Sequence, residues 1–311
     1  MYFQDGYIPD RVEAEWAIQC GRTSDHDRVL ALAAPWDAEK LPPVVVWESF
    51  KTRLMDIDGG PTKNWWDGVD VAKLFTASQG SRPNCAGFAM ANAFLVRLLI
   101  QRKQEYSEQT IEKVNPMATW VLSKGGSLWG GQTISAIMEA GRNIGNFPSR
   151  IVGEYDQSSN WRQWKNMTSE AEPYQVCFSI YDDDATQAAT YIMEACRKGY
   201  SIVIGNGIAV AGTRKDSRGV MVAELGGSWS HATAFGGWQK VDGVEYVFWI
   251  NSHGDIYPAD DGTPDFGCWM DMETLNRFCS SRFCDLAFVL YAESPYDNTI
   301  VPTLNPEVCC A

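Results

Sequence analysis

The sequence predicts an α+β protein with a helical first half and a sheet-rich second half. A chain of 311 residues that is 45% hydrophobic can bury a large core. From Cys85 to Ile100 the residues are small or apolar on nearly every side, which is typical of a buried helix. After residue 172 the pattern changes to short β-branched and aromatic runs bounded by Gly, Asp or Pro.

The first half contains a strand candidate and several helices. We interpret residues 1–63, which include the strand candidate 41–47, as an N-terminal extension packed on the main domain. The long apolar helix is predicted to start at Cys85, because Asn84 is a favourable N-cap residue. Residues 115–123 are predicted to form a short helix or a turn, and residues 133–141 a second amphipathic helix.

The second half reads as strands interrupted by a single helix at about 185–198. The Gly205-Asn206-Gly207 segment is predicted to be a turn. The predicted strands are 176–180, 201–204, 221–224, 232–238, 246–250 and 286–291.

Composition and charge exclude several kinds of partner. A net charge of −13 argues against nucleic-acid binding, because neutralising phosphates requires a basic face. No apolar stretch is long enough to cross a membrane, and residues 1–6 lack an export signal, so we expect a soluble protein in the cytoplasm or another reducing compartment. The nine cysteines form no Cys-x-x-Cys motif, so we expect neither a disulfide framework nor a bound metal or cofactor.

Three separate segments carry residues suited to nucleophilic catalysis. Gln79 precedes Cys85, His231 follows Ser230, and Asn251 follows a predicted strand. A thiol at a helix start, an imidazole and two amides are the components of a cysteine nucleophile with its base and its oxyanion donor. With the thiol in the helical half and the histidine in the sheet-rich half, a joint site is expected in the cleft between them.

In the order and rough separation of these segments, residues 64–292 resemble the papain-like cysteine proteases. The resemblance includes the apolar helix after Cys85, a glycine pair at 130–131, and an Asn-Ser-x-Gly segment starting at Asn251. It implies a two-lobed fold, with a helical lobe over about 64–170 and an antiparallel, barrel-like β lobe over about 171–292. Residues 293–311 are then a C-terminal tail.

The resemblance also implies a role for each residue. Cys85 would be the nucleophile and His231 its proton partner, with Asn251 orienting the imidazole and Gln79 stabilising the oxyanion. The substrate would be an extended peptide or protein. Its contacts are expected at the glycine pair Gly130 and Gly131 and at Ser230.

The sequence departs from the family at several positions. Arg82 and either Leu128 or Trp129 occupy the places where the family carries a disulfide, which fits a reducing compartment. Arg82 also brings positive charge near the thiol. His253 stands where the family usually has a tryptophan that shields the Asn–His hydrogen bond, so we expect it to modulate the site.

Other functions remain open at this stage. The same fold could serve as a structural or binding component of a larger assembly, such as a virus particle, with a dormant triad. Amidase, transglutaminase-like or deubiquitinating chemistry would use the same residues. His26 and the aspartate runs at 182–184 and 260–261 are interpreted as surface positions, since neither run continues as an EF-hand.

Overall fold

The computed structural model describes most of the predicted main domain. The described residues are 44–56, 65–105, 111–124, 130–155, 175–181, 185–259 and 262–292. Several predictions lie outside these ranges. They concern residues 1–43, including His26, the positions Leu128 and Trp129, both aspartate runs and the tail from residue 293. No helix within the described ranges is both long and apolar enough to cross a membrane.

Eight α-helices are distributed along the described chain. They are α1 (Trp47–Asp56), α2 (Val71–Leu74), α3 (Cys85–Glu105), α4 (Pro116–Ser123), α5 (Ile134–Asn143), α6 (Ser149–Val152), α7 (Ala188–Arg197) and α8 (Met272–Cys279). Side chains cap three of them: Asn115 accepts from Met117 N at 2.9 Å, Thr133 from Ala136 N at 3.2 Å and Asp271 from Thr274 N at 2.8 Å. These bonds satisfy amides that a helix start leaves without partners.

The strands form a two-stranded pair and a six-stranded sheet. They are β1 (Val114–Asn115), β2 (Phe147–Pro148), β3 (Val176–Ile180), β4 (Ser201–Lys215), β5 (Met221–Val241), β6 (Val244–Ile250), β7 (Gly267–Asp271) and β8 (Cys284–Ala292). The large sheet runs β3-β8-β4-β5-β6-β7 with antiparallel neighbours. Asp242 and Gly243, both with positive φ, make the tight turn between β5 and β6, as expected for an Asp-Gly hairpin.

Helices cover both faces of this sheet. Alternate residues of a strand point to opposite faces, and the core follows that alternation. On β4, Val203 packs in a core with α3, α4 and α5, whereas Ile202 and Ile204 pack in a second core with α1, α7 and α8. On β6, Phe248 belongs to the first core and Trp249 to the second. The sheet is therefore the middle layer of the molecule.

The predicted mixture of helix and sheet is confirmed, but the prediction of a barrel-like β lobe is wrong. Among the described residues β3 and β7 are the two ends of the strand order and do not pair, so the sheet stays open. β5 makes one additional parallel contact with β7, between Val222 and Trp269. Because helices pack on both faces, the sheet buries its apolar residues without closing on itself.

The element boundaries differ from prediction where tertiary pairing outweighs local signals. The helix start at Cys85 is confirmed, whereas the strand candidate 41–47 is reduced in its described part to one bridge between Val44 and Phe178, because α1 begins at Trp47. The predicted turn around Asn206 is wrong, since this segment lies inside β4. The strand predictions 221–224 and 232–238 are parts of one long strand, and neither β7 nor α8 was predicted.

Glycines allow α3 to approach its neighbours closely near Cys85. A Cβ on Gly87 would overlap the Pro116 carbonyl oxygen and lie 2.8 Å from Trp120 Cβ, both on α4. On the other side of α3, a Cβ on Gly236 of β5 would overlap the Val96 side chain. These contacts fix the position of the helix that starts at Cys85.

We predict that Gly87→Ala destabilises the protein by about 1 to 3 kcal/mol, the usual cost of overpacking, although alanine is ordinarily the better helix former. Gly141→Ala is a matched control on α5, since its Cβ would meet the flexible Met90 side chain rather than backbone. Chemical denaturation should show the larger loss for Gly87→Ala. Equal free energies of unfolding for Gly87→Ala and wild type would contradict the close packing of α3 on α4.

Candidate active site

Cys85 is the first residue of α3, and its side chain is buried. The N-terminus of a helix carries partial positive charge, which favours a negative charge on the sulfur. Asn84 has the expected N-cap position, since its carbonyl oxygen accepts from Phe88 N at 3.2 Å. The expected side-chain cap is wrong: Asn84 Nδ2 donates to the Tyr155 hydroxyl at 3.4 Å, and Asn84 Oδ1 is buried without a partner among the described residues.

The sulfur of Cys85 touches the backbone next to His231. The Ala232 amide N–H donates to Cys85 Sγ at 3.3 Å. This contact joins the start of α3 to β5, and a backbone N–H directed at sulfur favours the thiolate over the thiol. His231 precedes Ala232 on β5 and is fully buried.

His231 is hydrogen-bonded to Asn251, which directly follows β6. His231 Nε2 lies 2.8 Å from Asn251 Oδ1. That oxygen also accepts from the Ser252 backbone N–H at 2.8 Å, which fixes the orientation of the amide. Because Oδ1 is only an acceptor, Nε2 must carry a proton, and Nδ1 is the ring nitrogen that can gain or lose one.

A buried tyrosine holds the other end of the Asn251 amide. Asn251 Nδ2 donates to the Tyr257 hydroxyl oxygen at 2.8 Å. Burial raises the pKa of Tyr257 to about 12, so the hydroxyl stays neutral across the physiological range. The amide is therefore held at both ends, by Ser252 and by Tyr257.

Gln79 is buried and anchored by its side chain and its backbone. Gln79 Nε2 donates to the Arg82 carbonyl at 2.9 Å, and Gln79 Oε1 accepts from Ser252 Oγ at 2.6 Å. The Gln79 carbonyl accepts from the Tyr155 hydroxyl at 2.7 Å. Since an amide nitrogen carries two hydrogens, one remains after the bond to Arg82.

A short stretch of backbone pairing joins the Gln79 and Asn251 segments. Gln79 N donates to Ser252 O at 2.8 Å, and Gly254 N donates to Ala77 O at 2.8 Å. Between these bonds, Ser78 forms an antiparallel bridge with His253. The chain before Cys85 is thereby fixed to the chain after Asn251.

Two aromatic residues contact the His231 ring. Extending the β5–β6 register, in which Ala234 faces Ile250, brings His231 opposite His253. Their rings are stacked, with centroids 4.3 Å apart. Trp229, two residues before His231, lies 4.6 Å from its ring by centroid.

The remaining predicted residues lie around this network. Lys124, at the end of α4, donates from Nζ to the Gly130 and Gly131 carbonyls at 2.8 and 2.7 Å. The glycine pair is thus fixed by Lys124 rather than by the His231–Asn251 network. Ser230 is half-buried on β5, and Arg82 is half-buried before α3.

The other described cysteines lie in different chemical surroundings. Burial raises the pKa of Cys196 and of Cys268 well above the ordinary range, which makes both thiols unreactive. A thiol contact with Cys284 together with burial raises the pKa of Cys279. No disulfide joins the six described cysteines to one another, and no group of His, Cys, Asp and Glu in the described ranges could hold a metal.

The sequence reasoning missed four residues of the site. Ser252 and Tyr155 contact Gln79 from distant parts of the chain, whereas Tyr257 and Trp229 contact Asn251 and His231 from nearby positions. Only Ser252 and Trp229 had a signal in the sequence, namely their positions next to Asn251 and near His231.

No protein-family model and no curated protein matches this sequence. Solved structures do match. The cysteine protease Amb a 11, a ragweed pollen allergen in its proform, is similar with a TM-score of 0.54 and 12% identity over 82% of this chain and 66% of that chain. This similarity shows a shared fold.

Two further structures match with lower scores. Procathepsin L 3 from the larval midgut of Tenebrio molitor has a TM-score of 0.49 and 10% identity, over 90% of this chain and 97% of that chain. The cysteine protease and lectin-like domains of Clostridium difficile Cwp84 also have a TM-score of 0.49, with 12% identity over 88% of this chain and 60% of that chain.

We predict that Tyr257→Phe slows alkylation of Cys85 by iodoacetamide at neutral pH about fivefold, the worth of one hydrogen bond. Without the Tyr257 oxygen the Asn251 amide is held only by the Ser252 N–H, so its orientation toward His231 is less firmly fixed. Tyr191→Phe is the matched control, because it removes a buried hydroxyl bonded to Gln187. Equal rates for Tyr257→Phe and Tyr191→Phe would contradict this role of Tyr257.

Proposed function

We propose that this chain, whose fold is that of the papain-like cysteine proteases, is a cysteine peptidase with Cys85 as nucleophile. The observation that carries the proposal is the pair of contacts around His231. Its Nε2 is bonded to Asn251 at 2.8 Å, while the adjacent Ala232 N–H touches the sulfur of Cys85 at 3.3 Å. This arrangement leaves Nδ1 of His231 as the nitrogen that exchanges a proton with Cys85.

The reaction proceeds in two steps on a peptide or protein substrate. The Cys85 thiolate bonds to the carbonyl carbon of the scissile peptide, and His231 Nδ1 gives its proton to the departing amine nitrogen. A thioester remains on Cys85. Water then loses a proton to His231 while its oxygen bonds to the acyl carbon, which releases the carboxylic acid and restores the ion pair.

Gln79 is proposed as the oxyanion donor. The second hydrogen on its Nε2 and the backbone N–H of Cys85 would stabilise the negative oxygen of the tetrahedral intermediate. A donor is effective when it is fixed before the charge develops. The bonds from Gln79 to Arg82 and Ser252 support such a fixed orientation.

Several neighbouring residues would shape the reaction. The stacked His253 places a second imidazole against His231, where it would modulate the site. Half-buried Arg82 would add positive charge near the thiolate. The backbone of Gly130 and Gly131, held by Lys124, and the half-buried Ser230 would contact an extended substrate.

A second function is supported by the burial of the site. Cys85 and His231 are both 0% exposed, so a substrate reaches the thiol only after covering residues move. A papain-like fold acting as a binding component of a larger assembly, with a dormant triad, needs no such movement. The reactivity of Cys85 distinguishes the two functions.

We predict that a peptidyl epoxide labels Cys85 selectively and that labelling persists well below pH 8, because His231 stabilises the thiolate. His231→Ala should slow labelling at pH 6 by about 100-fold or more, within the range typical of acid–base partners. Intact mass gives the rate, and Cys85→Ala identifies the labelled residue.

A buried thiol of the other core serves as the reference for this experiment. Cys196→Ala should leave the labelled mass and its rate unchanged, since burial keeps that thiol protonated. Labelling of Cys85 that is no faster than that of the remaining cysteines would reject the peptidase and favour the binding component.

We further predict that Gln79→Ala lowers peptide hydrolysis about 100-fold, as loss of an oxyanion donor does elsewhere, while changing Cys85 alkylation by iodoacetamide by less than about threefold. Alkylation develops no oxyanion, so it reports only on the thiolate. Ser252→Ala is the control, because it removes the partner of Gln79 Oε1 but keeps the amide itself. A parallel loss of hydrolysis and alkylation in Gln79→Ala would assign this residue a structural role.

A further inference from the structure

A buried amide on β4 anchors a tryptophan next to the site. Asn206 is 0% exposed and faces His231 in the β4–β5 register. Its Oδ1 accepts from Trp229 Nε1 at 3.0 Å, and its Nδ2 donates to the Phe278 carbonyl at 3.4 Å. A buried amide requires such partners, so the position of the indole nitrogen is fixed by the sheet.

The anchored indole contacts both imidazoles. Trp229 and His231 lie two residues apart on β5, where the β4–β5 register shifts between Asn206 and Ile208, and such a bulge redirects side chains locally. The Trp229 ring lies 4.6 Å from that of His231 and 5.8 Å from that of His253 by centroid. A looser stacked contact with Trp249, at 6.2 Å, supports the indole from β6.

We propose that Trp229, held by Asn206, is a positioning residue that keeps the His231 ring in place and thereby preserves its bond to Asn251. The inference rests on the proposed function insofar as His231 is the proton partner of Cys85. An aromatic ring within about 6 Å of an imidazolium stabilises its positive charge.

His253, which lies two residues after Asn251, is half-buried and polar. Trp229 supplies the larger apolar surface, from the strand that carries His231. The Asn206–Trp229 bond explains why a polar side chain lies buried in the middle of β4.

The first test measures the His231–Asn251 bond itself and does not depend on catalysis. The exchange of the His231 Nε2 proton with water is followed by NMR on the ¹⁵N-labelled full chain, with the signal assigned by its loss in His231→Gln. Trp229→Leu should accelerate exchange about tenfold or more, since the His231 ring loses the contact that holds it and its bond to Asn251 opens more often. Trp229→Phe keeps a ring but loses the bond to Asn206, and should accelerate exchange only a few-fold.

The matched control is Trp238→Leu, since Trp238 is another half-buried tryptophan on β5 and lies farther along the strand than His231. Thermal unfolding of all variants identifies any general loss of stability. Trp238→Leu should leave the His231 proton exchange at the wild-type rate. Equal exchange in wild type, Trp229→Leu and Trp229→Phe would overturn the proposal, and if Trp229→Leu does not fold, Trp229→Phe decides alone.

The second test is the pH profile of Cys85 alkylation. Loss of the indole destabilises the His231 imidazolium, so the alkaline limb of the profile should move about one pH unit lower in Trp229→Leu. If the alkaline limb of folded Trp229→Leu stays at its wild-type pH, the role inferred for Trp229 is contradicted, but the proposed peptidase function is not. If wild-type Cys85 shows no His231-dependent reactivity, the proposed function fails, and the exchange measurement still decides the role of Trp229.

Discussion

The candidate site depends on a short backbone pairing between two distant parts of the chain. Gln79 and Ser252 are 173 positions apart, yet they are joined by a side-chain bond and by a backbone bond of 2.8 Å. On one side of this pairing the chain continues to Cys85 and α3. On the other side it returns to Asn251 and β6. Together with the contact of the Ala232 N–H to Cys85 Sγ, this pairing fixes the thiol, which lies on α3, relative to the histidine, which lies on β5.

The contacts that Ser252 and His253 make in and beside this pairing each affect the geometry of the site. The Ser252 backbone N–H selects the oxygen of Asn251 as the atom that faces His231. Its hydroxyl orients the Gln79 amide. The bridge from Ser78 to His253 brings a second imidazole onto the His231 ring. One segment thus determines the tautomer of the histidine and the direction of the Gln79 amide.

Much of the fold and of the candidate site could be predicted from sequence, and there are physical reasons why the rest could not. The helix at Cys85 was predictable because an apolar run with a polar entry is a local signal. The extent of β4 and β5 was not, because the Gly-rich segment around Asn206 reads as a turn and becomes strand through pairing with β5 and β8. Trp229 and Tyr257 were not assigned, because the contacts of Trp229 with Asn206 and of Tyr257 with Asn251 follow no local sequence pattern. The open sheet was missed because coverage by helices on both faces is a tertiary property.

The most direct measurement of the central claim is the equilibrium ionisation of Cys85, followed by thiolate ultraviolet absorbance as wild type minus Cys85→Ala during an acid titration. If Cys85 and His231 form an ion pair, the thiolate signal persists well below the ordinary thiol pKa of about 8.5 and is lost in His231→Ala. A signal that appears only above about pH 8.5, and that is the same in His231→Ala, would contradict the account.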